Sequence, residues 1–178
     1  MSAGAGEARI LDVTDPVRLA LPEGFFEVTS FLIVEGGRSA AHLALHVGSP
    51  SDGALLRIAS ACVTSEVFGC GRCDCAEQLR RSLRLIAREG SGLLTYHPSD
   101  EGYGLGLHEK IRAYAEGGSP ESGESHRICD IRTFAPAALI VAHFALGSVR
   151  LLSANERKRN ALRARGIEAH LTALDPAV

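Results

Sequence analysis

Hydrophobic residues follow two different periods along this chain, and the change of period separates an N-terminal part from the rest. Residues 25–34 are rich in β-forming side chains, and residues 41–47 alternate hydrophobic and polar positions. The glycine pair at 36–37 lies between them, so the pattern predicts two antiparallel strands joined as a hairpin. A cluster of turn-forming residues at 48–53 follows, and residues 55–63 are then predicted to form a third strand.

Beyond residue 75 the pattern alternates between helices and short strands. Residues 76–89 place Leu79, Leu83 and Ile86 on one helical face, and Gly90 supplies a stop signal. Further helices are predicted at 107–116, 136–146 and 156–165, short strands at 93–97, 149–153 and 167–171, and an extended segment at 128–134. Antiparallel strands followed by strand–helix alternation predict an α/β fold with α+β character, in which helices pack on a mixed sheet.

The length of the chain bounds its domain organisation. Its 178 residues suffice for one compact domain with a hydrophobic core. Residues 1–8 are small and rich in glycine and alanine, so we expect them to be disordered, with residues 9–178 forming a single domain. The polar segment 117–125 is expected to be a mobile loop.

Composition and charge exclude several classes of protein. The 46% hydrophobic and 22% charged residues are typical of a globular domain. A net charge of −2 and an aromatic content of 5% argue against a nucleic-acid partner. No apolar stretch has the length of a membrane span, and the first residues lack the apolar run of a signal peptide. We therefore expect a reducing, cytoplasmic compartment and no membrane partner.

Four of the five cysteines lie within fourteen residues, at Cys62, Cys70, Cys73 and Cys75. Thiols this close in a reducing compartment indicate a metal site rather than disulfides. The glycines between them give the backbone the freedom to bring several sulfurs to one ion. Three interpretations are open: a closed structural zinc site with four thiolates, a catalytic site with three thiolates and an open position, or plain buried thiols.

Polar residues also follow the strand predicted at 93–97. His97 ends this strand and Glu101 lies in the glycine-rich loop beyond it. Active sites of α/β proteins lie where strands end in loops, so both side chains are candidates for a site. His97 alone fits a satisfied structural histidine as well.

Two more polar groups occur further along the chain. Asp130 and Arg132 occupy alternate positions of an extended segment, so their side chains face one side. They form either part of a site or a surface ion pair of little energetic value. Ser153 and Lys158 flank a strand-to-helix junction, where backbone N–H groups suit a phosphate. Solvated basic residues would give the same pattern.

The spacing of these motifs is the most specific signal in the sequence. Cys62 is followed after ten residues by Cys73, Asp74 and Cys75, and Gln78 lies three positions further on. Five later segments belong to the same pattern of motifs: 95–97, 101–102, 110–115, 130–132 and 150–158. From about residue 57 to the C-terminus, this combination resembles the GTP cyclohydrolase II family, whose Lys-Ile-Arg-Ala-Tyr-Ala motif stands unchanged at 110–115.

The resemblance implies a zinc enzyme that opens the imidazole ring of a guanine nucleotide and releases formate, with pyrophosphate as a further product. It implies zinc ligands at Cys62, Cys73 and Cys75, and catalytic roles for Tyr114, Asp130 and Arg132. In the family, Asp130 would be a base and Arg132 a nucleophile on phosphorus. Because arginine stays protonated, its own chemistry favours a phosphate clamp. The substrate-binding residues implied are Arg57, Gln78, Glu101, Gly102, Tyr103, Ser153 and Lys158. Mg²⁺ on the substrate phosphates and a homodimer are also expected.

Three departures from the family pattern concern the substrate. Ala59 and Ala61 stand where the family has a histidine and a glutamate, and Tyr103 stands where it has an arginine. One extra residue also precedes Glu101. Loss of polar partners in a site changes what it binds, so we expect weak turnover of GTP. The alternatives are a related enzyme that opens another heterocycle, such as a pyrimidine nucleotide, and a non-catalytic domain that binds zinc and a nucleotide.

Overall fold

The computed structural model describes residues 7–117 and 129–174 of the chain. Eight strands lie in these residues: β1 Arg9–Val13, β2 Val17–Leu21, β3 Gly24–Glu35, β4 Arg38–Val47, β5 Ala54–Ser60, β6 Gly92–His97, β7 Ser148–Leu152 and β8 Glu168–Thr172. The α-helices are α1 Val63–Glu66, α2 Cys75–Glu89, α3 Leu107–Ala115, α4 Ala135–His143 and α5 Glu156–Arg163. A 3₁₀ segment, Pro98–Gly104, connects β6 towards α3.

All eight strands belong to one sheet of order β1-β3-β4-β6-β5-β7-β8, and β2 pairs with β3 beside β1. Pairs that involve β1 to β4 are antiparallel. The pairs β5–β6, β5–β7 and β7–β8 are parallel. The predicted mixed sheet with N-terminal antiparallel strands is therefore confirmed.

Hydrophobic side chains fill both faces of the sheet. On one face α4 and α5 pack over strand residues such as Phe31, Ile58 and Leu151. On the other face α2 buries Leu83 and Ile86 against residues of β3, β5 and β6. Because β5 is covered on both faces and flanked by parallel strands, all but its last residue are buried.

The two N-terminal strands were not predicted. Each has only five residues, and most of their side chains are exposed, including the hydrophobic Leu11, Val17 and Leu19, so the pattern is too short to identify a strand. The third predicted strand also ends early, because the chain leaves β5 at Ser60 and turns into the short helix α1 after Cys62. The extended segment predicted at 128–134 forms no strand within its described residues, 129–134.

Parts of two other predictions fall outside the described residues. Residues 1–6 of the expected disordered segment are not described, whereas Ala8 is buried in the core beneath α4. Ordered packing therefore begins before residue 9. The loop predicted at 117–125 lies outside the described residues apart from Gly117. No helix within the described ranges combines the length and the hydropathy needed to cross a membrane.

Gly48 lies just after β4, where the chain approaches the end of α2. Its φ is +60°, and a Cβ at this position would lie 2.7 Å from the carbonyl oxygen of Gly90. Gly37 is a matched control, because its φ is +77° but its Cβ would meet nothing within 4 Å. We expect Gly37→Ala to lose only the backbone term, about 1–2 kcal/mol. Gly48→Ala should lose more in urea unfolding, and equal losses would contradict the close approach.

Candidate active site

Three parallel strands end at the same edge of the sheet and place the candidate residues there. β5 ends at Ser60, β6 at His97 and β7 at Leu152. The chain then enters the cysteine region after β5, the 3₁₀ segment after β6, and the start of α5 after β7. Ligands of α/β sheets bind at the carboxyl ends of parallel strands, so this edge is the expected position for a site.

A cavity of about 260 Å³ opens at this edge. Nine of the sequence-predicted site residues line it: Arg57, Cys62, Cys73, Cys75, Gln78, Gly102, Tyr103, Arg132 and Lys158. Four do not line it: Glu101, Tyr114, Asp130 and Ser153. The structure therefore brings nine of the thirteen predicted site residues together around one cavity and places the other four outside its lining.

Three cysteine sulfurs form a compact group in this wall. The sulfurs of Cys62, Cys73 and Cys75 all lie within 4.8 Å of one another, and those of Cys62 and Cys73 are 3.5 Å apart. Tetrahedral zinc with bonds of about 2.3 Å separates its sulfurs by about 3.8 Å, so the group fits zinc. Cys70 is not part of it. The geometry therefore favours three thiolate ligands over four.

Secondary structure explains why these sulfurs converge. Cys62 precedes the first turn of α1, while Cys75 begins α2. Ser65 of α1 accepts a hydrogen bond from the N–H of Ala76 at 3.2 Å, which ties the two helix starts together. Burial and the neighbouring thiols raise the pKa of Cys75. A bound metal would offset this by stabilising the thiolate.

Lys110 of α3 provides a positive charge directly beside the cysteine group. Its Nζ donates to the sulfur of Cys62 at 2.9 Å and to Oε1 of Glu101 at 2.8 Å, and it is 3% exposed. Burial alone would lower the pKa of Lys110, but these two hydrogen bonds and the negative charges outweigh burial and raise it. Burial alone would raise the pKa of Cys62, but the hydrogen bond from Lys110 contributes to lowering it. Lys110 thus stabilises the thiolate form of Cys62, which is the form that binds a metal.

Glu101 supports the metal region rather than the cavity. Its Oε2 accepts a hydrogen bond from the N–H of Val63 at 2.7 Å, while Oε1 accepts from Lys110. A kink at Glu101, Gly102 and Tyr103 interrupts the 3₁₀ segment, and Tyr103 has a φ of +60°. This kink leaves Glu101 buried and places Tyr103 in the cavity wall.

Tyr114 of α3 packs beside the metal region. The guanidinium carbon of Arg72 lies 4.7 Å from the centre of its ring, and the Nζ of Lys110 lies 5.9 Å from it. Arg72 directly precedes Cys73, so Tyr114 contacts the loop that carries a candidate ligand. Its predicted catalytic role stays a prediction, since Tyr114 does not line the cavity.

Arg57 and Gln78 form a connected pair in the cavity wall. Arg57 donates to the carbonyl oxygen of Leu152 at 2.7 Å and to Oε1 of Gln78 at 2.6 Å. Gln78 in turn donates to Asp74 at 2.8 Å. This chain of hydrogen bonds links β7, β5 and the start of α2, so the two side chains are held in fixed orientations.

Asp130 and Arg132 form a partly buried pair, of which only Arg132 lines the cavity. Arg132 donates to both carboxylate oxygens of Asp130 at 2.8 Å and to Oγ of Ser60 at 3.0 Å. Its guanidinium carbon lies 4.6 Å from the ring centre of Tyr103 and 5.1 Å from that of Phe134. Since the Arg132 side chain is only 11% exposed, a solvent-exposed ion pair is excluded.

The environment of Asp130 argues against a role as a strong base. Arg157 pairs with it at 2.6 Å, in addition to the bidentate contact from Arg132. Burial alone would raise the pKa of Asp130, but the hydrogen bonds and charge of Arg132, with the charge of Arg157, lower it. A carboxylate with a lowered pKa accepts protons poorly. The geometry therefore favours Asp130 as a residue that positions Arg132.

Lys158 reaches the cavity from the first turns of α5. It is 7% exposed, and its Nζ donates to the carbonyl oxygen of Ile58 at 2.8 Å. Ser153 does not line the cavity; its hydroxyl accepts the N–H of Asn155, and Asn155 caps α5 by accepting from Arg157. Lys158 is therefore not one of the solvated basic residues that the sequence pattern also allowed.

His97 has a structural role in the sheet. It is buried, and its ring nitrogens lie 2.9 Å from Nδ1 of His42 and 2.9 Å from Oγ1 of Thr95. Burial, the charge of His42 and the charge of Lys158 lower the pKa of His97, and burial lowers that of His42 to about 4. His97 does not line the cavity, so the structural interpretation holds.

The two alanines in place of family polar residues differ in position. Ala61 lines the cavity, so a missing side chain there affects the site directly. Ala59 is buried in the hydrophobic cluster beneath α2, with Phe26 and Leu83, and does not line the cavity. The expectation that Ala59 borders the nucleotide is therefore not supported by the described geometry.

Sequence reasoning missed five polar residues that line the cavity: Ser60, Asp74, Asp100, Lys110 and Asn155. Asp74 lies between the predicted ligands Cys73 and Cys75 but was given no role of its own. Lys110 begins the matched motif at 110–115, but its contact with Cys62 was not predicted. Asp100 lies in the loop where the chain has an extra residue relative to the family pattern. Ser60 and Asn155 carry no sequence signal that separates them from ordinary turn residues.

Comparisons with known proteins agree with the geometry of the site. A family model described as GTP cyclohydrolase II matches residues 13–172. GTP cyclohydrolase-2 of Pseudomonas fluorescens (strain SBW25) is 38% identical over 157 residues, which cover 84% of this chain and 75% of the relative. GTP cyclohydrolase-2 of Pseudomonas aeruginosa (strain LESB58) is 39% identical over 152 residues, with 82% and 73% covered. That of Hahella chejuensis (strain KCTC 2396) is 36% identical over 158 residues, with 85% and 75% covered.

Among solved structures, RibBX, a two domain 3,4-dihydroxy-2-butanone 4-phosphate synthase from A. baumannii, has a TM-score of 0.47 and 18% identity. The match covers 96% of this chain and 42% of that chain, and it is too distant to bear on function. The family model spans most of the chain, and the relatives share more than a third of the aligned residues. The family and the hydrolase class expected from the sequence are thus confirmed, and the chain belongs to the GTP cyclohydrolase II family.

Proposed function

We propose that this protein is a zinc-dependent cyclohydrolase that opens the imidazole ring of a guanine nucleotide and releases formate. The single observation that carries the proposal is the group of three sulfurs in the wall of a cavity that Arg57, Arg132 and Lys158 also line. A metal group beside several cations suits a substrate that joins a hydrolysable ring to phosphate. The GTP cyclohydrolase-2 relatives support the same activity.

The residues of the chain divide between metal and substrate. Cys62, Cys73 and Cys75 would hold zinc, which when bound supplies a Lewis acid that activates water for attack on the ring. Gln78 is held by Arg57 and Asp74, so it presents a fixed amide to the ligand. A substrate phosphate would lie towards Arg132 and Lys158, which also line the cavity.

Arg132 and Lys158 are the proposed phosphate contacts. Arg132 is oriented by the carboxylate of Asp130 and by the rings of Tyr103 and Phe134, as a rigid clamp requires. We assign it this role rather than that of a nucleophile, because a guanidinium stays protonated. A homodimer, Mg²⁺ on the phosphates and a cytoplasmic location are parts of the proposal that rest on the family.

Formate release tests the proposal directly. Zinc-loaded protein is incubated with guanine nucleotides, with pyrimidine nucleotides and with a nucleoside that lacks phosphate, and formate and the ultraviolet spectrum are followed. Formate from a guanine nucleotide is the expected result. Formate-free ring opening of a pyrimidine nucleotide would favour the related enzyme instead. Tight binding of a nucleotide and zinc without any turnover would indicate a non-catalytic domain.

Restoring family residues that line the cavity is expected to increase turnover of GTP. The double variant Ala61→Glu, Tyr103→Arg adds a charged contact, and a hydrogen bond to a charged group contributes about 1.5–3 kcal/mol. We therefore expect kcat/KM for GTP to rise about tenfold to a hundredfold. Tyr103→Phe is the control, since it keeps the ring over Arg132 and adds no charge. An unchanged kcat/KM at equal zinc content would show that these positions do not limit GTP turnover.

Phosphate binding should weaken as pH rises, because of Lys158. Burial and the charges of Arg57 and Arg132 lower the pKa of Lys158 to about 7. The ammonium is therefore mostly charged below pH 7 and mostly neutral above it, while a phosphate with a second pKa of about 6 stays dianionic. Nucleotide affinity is expected to fall between about pH 6.5 and 8.5. Lys158→Arg keeps its charge and should flatten the profile, whereas a nucleoside without phosphate should bind equally across it. A flat wild-type profile for the nucleotide would contradict this role.

A further inference from the structure

The cations that line the cavity already have protein partners in the described part of the chain. Arg57 donates to a carbonyl oxygen and to Gln78, and Lys110 donates to Cys62 and Glu101. Arg132 uses Nε and Nη2 on Asp130 and Nη1 on Ser60, and Lys158 donates to a carbonyl oxygen. Arg132 and Lys110 are thus paired with carboxylates, whereas Arg57 and Lys158 have neutral partners and supply the positive charge that remains for a ligand.

Asp100 adds a negative charge at the same end of the cavity. Its Oδ2 accepts a hydrogen bond from Oγ of Ser60 at 3.2 Å, and that hydroxyl also accepts from Nη1 of Arg132 at 3.0 Å. Burial raises the pKa of Asp100, while the charges of Arg132 and Lys158 oppose this rise. The carboxylate thus lies among the groups proposed to contact phosphate, and Ser60 fixes its position.

Tyr103 acts in the same direction as Asp100. Tyr103 gives the wall a ring over Arg132 instead of another cation. Each further phosphate of a nucleotide adds about one negative charge or more. A triphosphate would therefore meet Asp100 while, of the described cations in the lining, only Arg57 and Lys158 have no carboxylate partner.

We propose that Asp100 is a specificity-determining residue that restricts this site to a nucleotide carrying a single phosphate. This inference rests on the proposed cyclohydrolase function and names its substrate class. A nucleoside monophosphate brings one phosphate to Arg132 and Lys158 and leaves Asp100 outside the phosphate contacts. Ring opening would then release formate without pyrophosphate, because the substrate has no pyrophosphate to lose.

Equilibrium binding of GMP, GDP and GTP to zinc-loaded protein without added Mg²⁺ tests the inference. Wild-type protein should bind GMP more tightly than GTP. Asp100→Asn keeps the acceptor for Ser60 but removes the charge, and it should raise the affinity for GTP relative to GMP about tenfold, or about 1.4 kcal/mol. Asp100→Glu should keep the wild-type ratio. Asp15→Asn is the matched control, since it removes one exposed carboxylate that does not line the cavity.

Four results would overturn the inference. The first is tighter binding of GTP than of GMP by wild-type protein, and the second is an unchanged ratio in Asp100→Asn. The third is a gain in GTP affinity on adding Mg²⁺ that requires Asp100, because the carboxylate would then recruit a cation for the triphosphate. Formate release at equal rates from GMP and GTP would also overturn it while leaving the cyclohydrolase function intact. Absence of both binding and formate release for all three nucleotides would instead remove the proposed function.

Discussion

Replacement of Cys73 by serine is expected to remove bound zinc and to reduce formate release by more than about a hundredfold. The sulfur of Cys73 lies 3.5 Å from that of Cys62, inside the group of three. A serine hydroxyl stays protonated at neutral pH and is a poor ligand for zinc, so the site would retain only two thiolates. Loss of the metal removes several kcal/mol of charge stabilisation from the reaction. Elemental analysis and the formate assay measure the two effects.

Cys70→Ser is the matched control for this prediction. Cys70 lies three residues before Cys73 and is similarly half-buried, but its sulfur is outside the group of three. The Cys70→Ser variant should retain one zinc per chain and full activity. Loss of zinc in Cys70→Ser would instead support a closed site with four cysteines, and that site would have no open position for water.

Lys110→Met is expected to weaken zinc binding about tenfold to a hundredfold, the range typical of residues that contact metal ligands. The ammonium donates to the sulfur of Cys62 at 2.9 Å and is buried. Methionine keeps much of the side-chain length but supplies no charge to stabilise the thiolate. A chelator competition measures zinc affinity without relying on catalysis.

Two further variants separate this effect from a general loss of stability. Arg112→Met changes an exposed cation on the same helix and should leave zinc affinity unchanged. Lys110→Arg keeps the charge and should recover part of the zinc affinity if charge is the cause. A normal zinc affinity in Lys110→Met, with Glu101 left buried, would show that the lysine serves only to pair with Glu101.

The periodicity of hydrophobic residues and the glycine and turn signals between elements predicted most of the secondary structure. The hairpin of β3 and β4, the helix α2 and the short strand β6 follow from alternation, helical spacing and glycine stops. The strands β1 and β2 were not predicted because they are only five residues long and mostly exposed, and their hydrophobic residues, such as Leu11, Val17 and Leu19, are not buried in the core. Their pairing with β3 is a long-range interaction that local pattern does not encode.

The sequence by itself also predicted which three cysteines form the candidate metal site, because the ten-residue gap and the Cys-x-Cys spacing of the family motif are local properties of the chain. Which polar groups surround these cysteines was decided only by the tertiary structure. The parallel ends of β5, β6 and β7 bring Ser60, Asp100 and Lys158 to one edge, although they are far apart in sequence. Likewise, burial beneath α2 separates Ala59 from the cavity that Ala61 lines. Proximity of this kind arises from strand pairing and from side-chain direction in the folded sheet, and neither is written in the spacing of the residues.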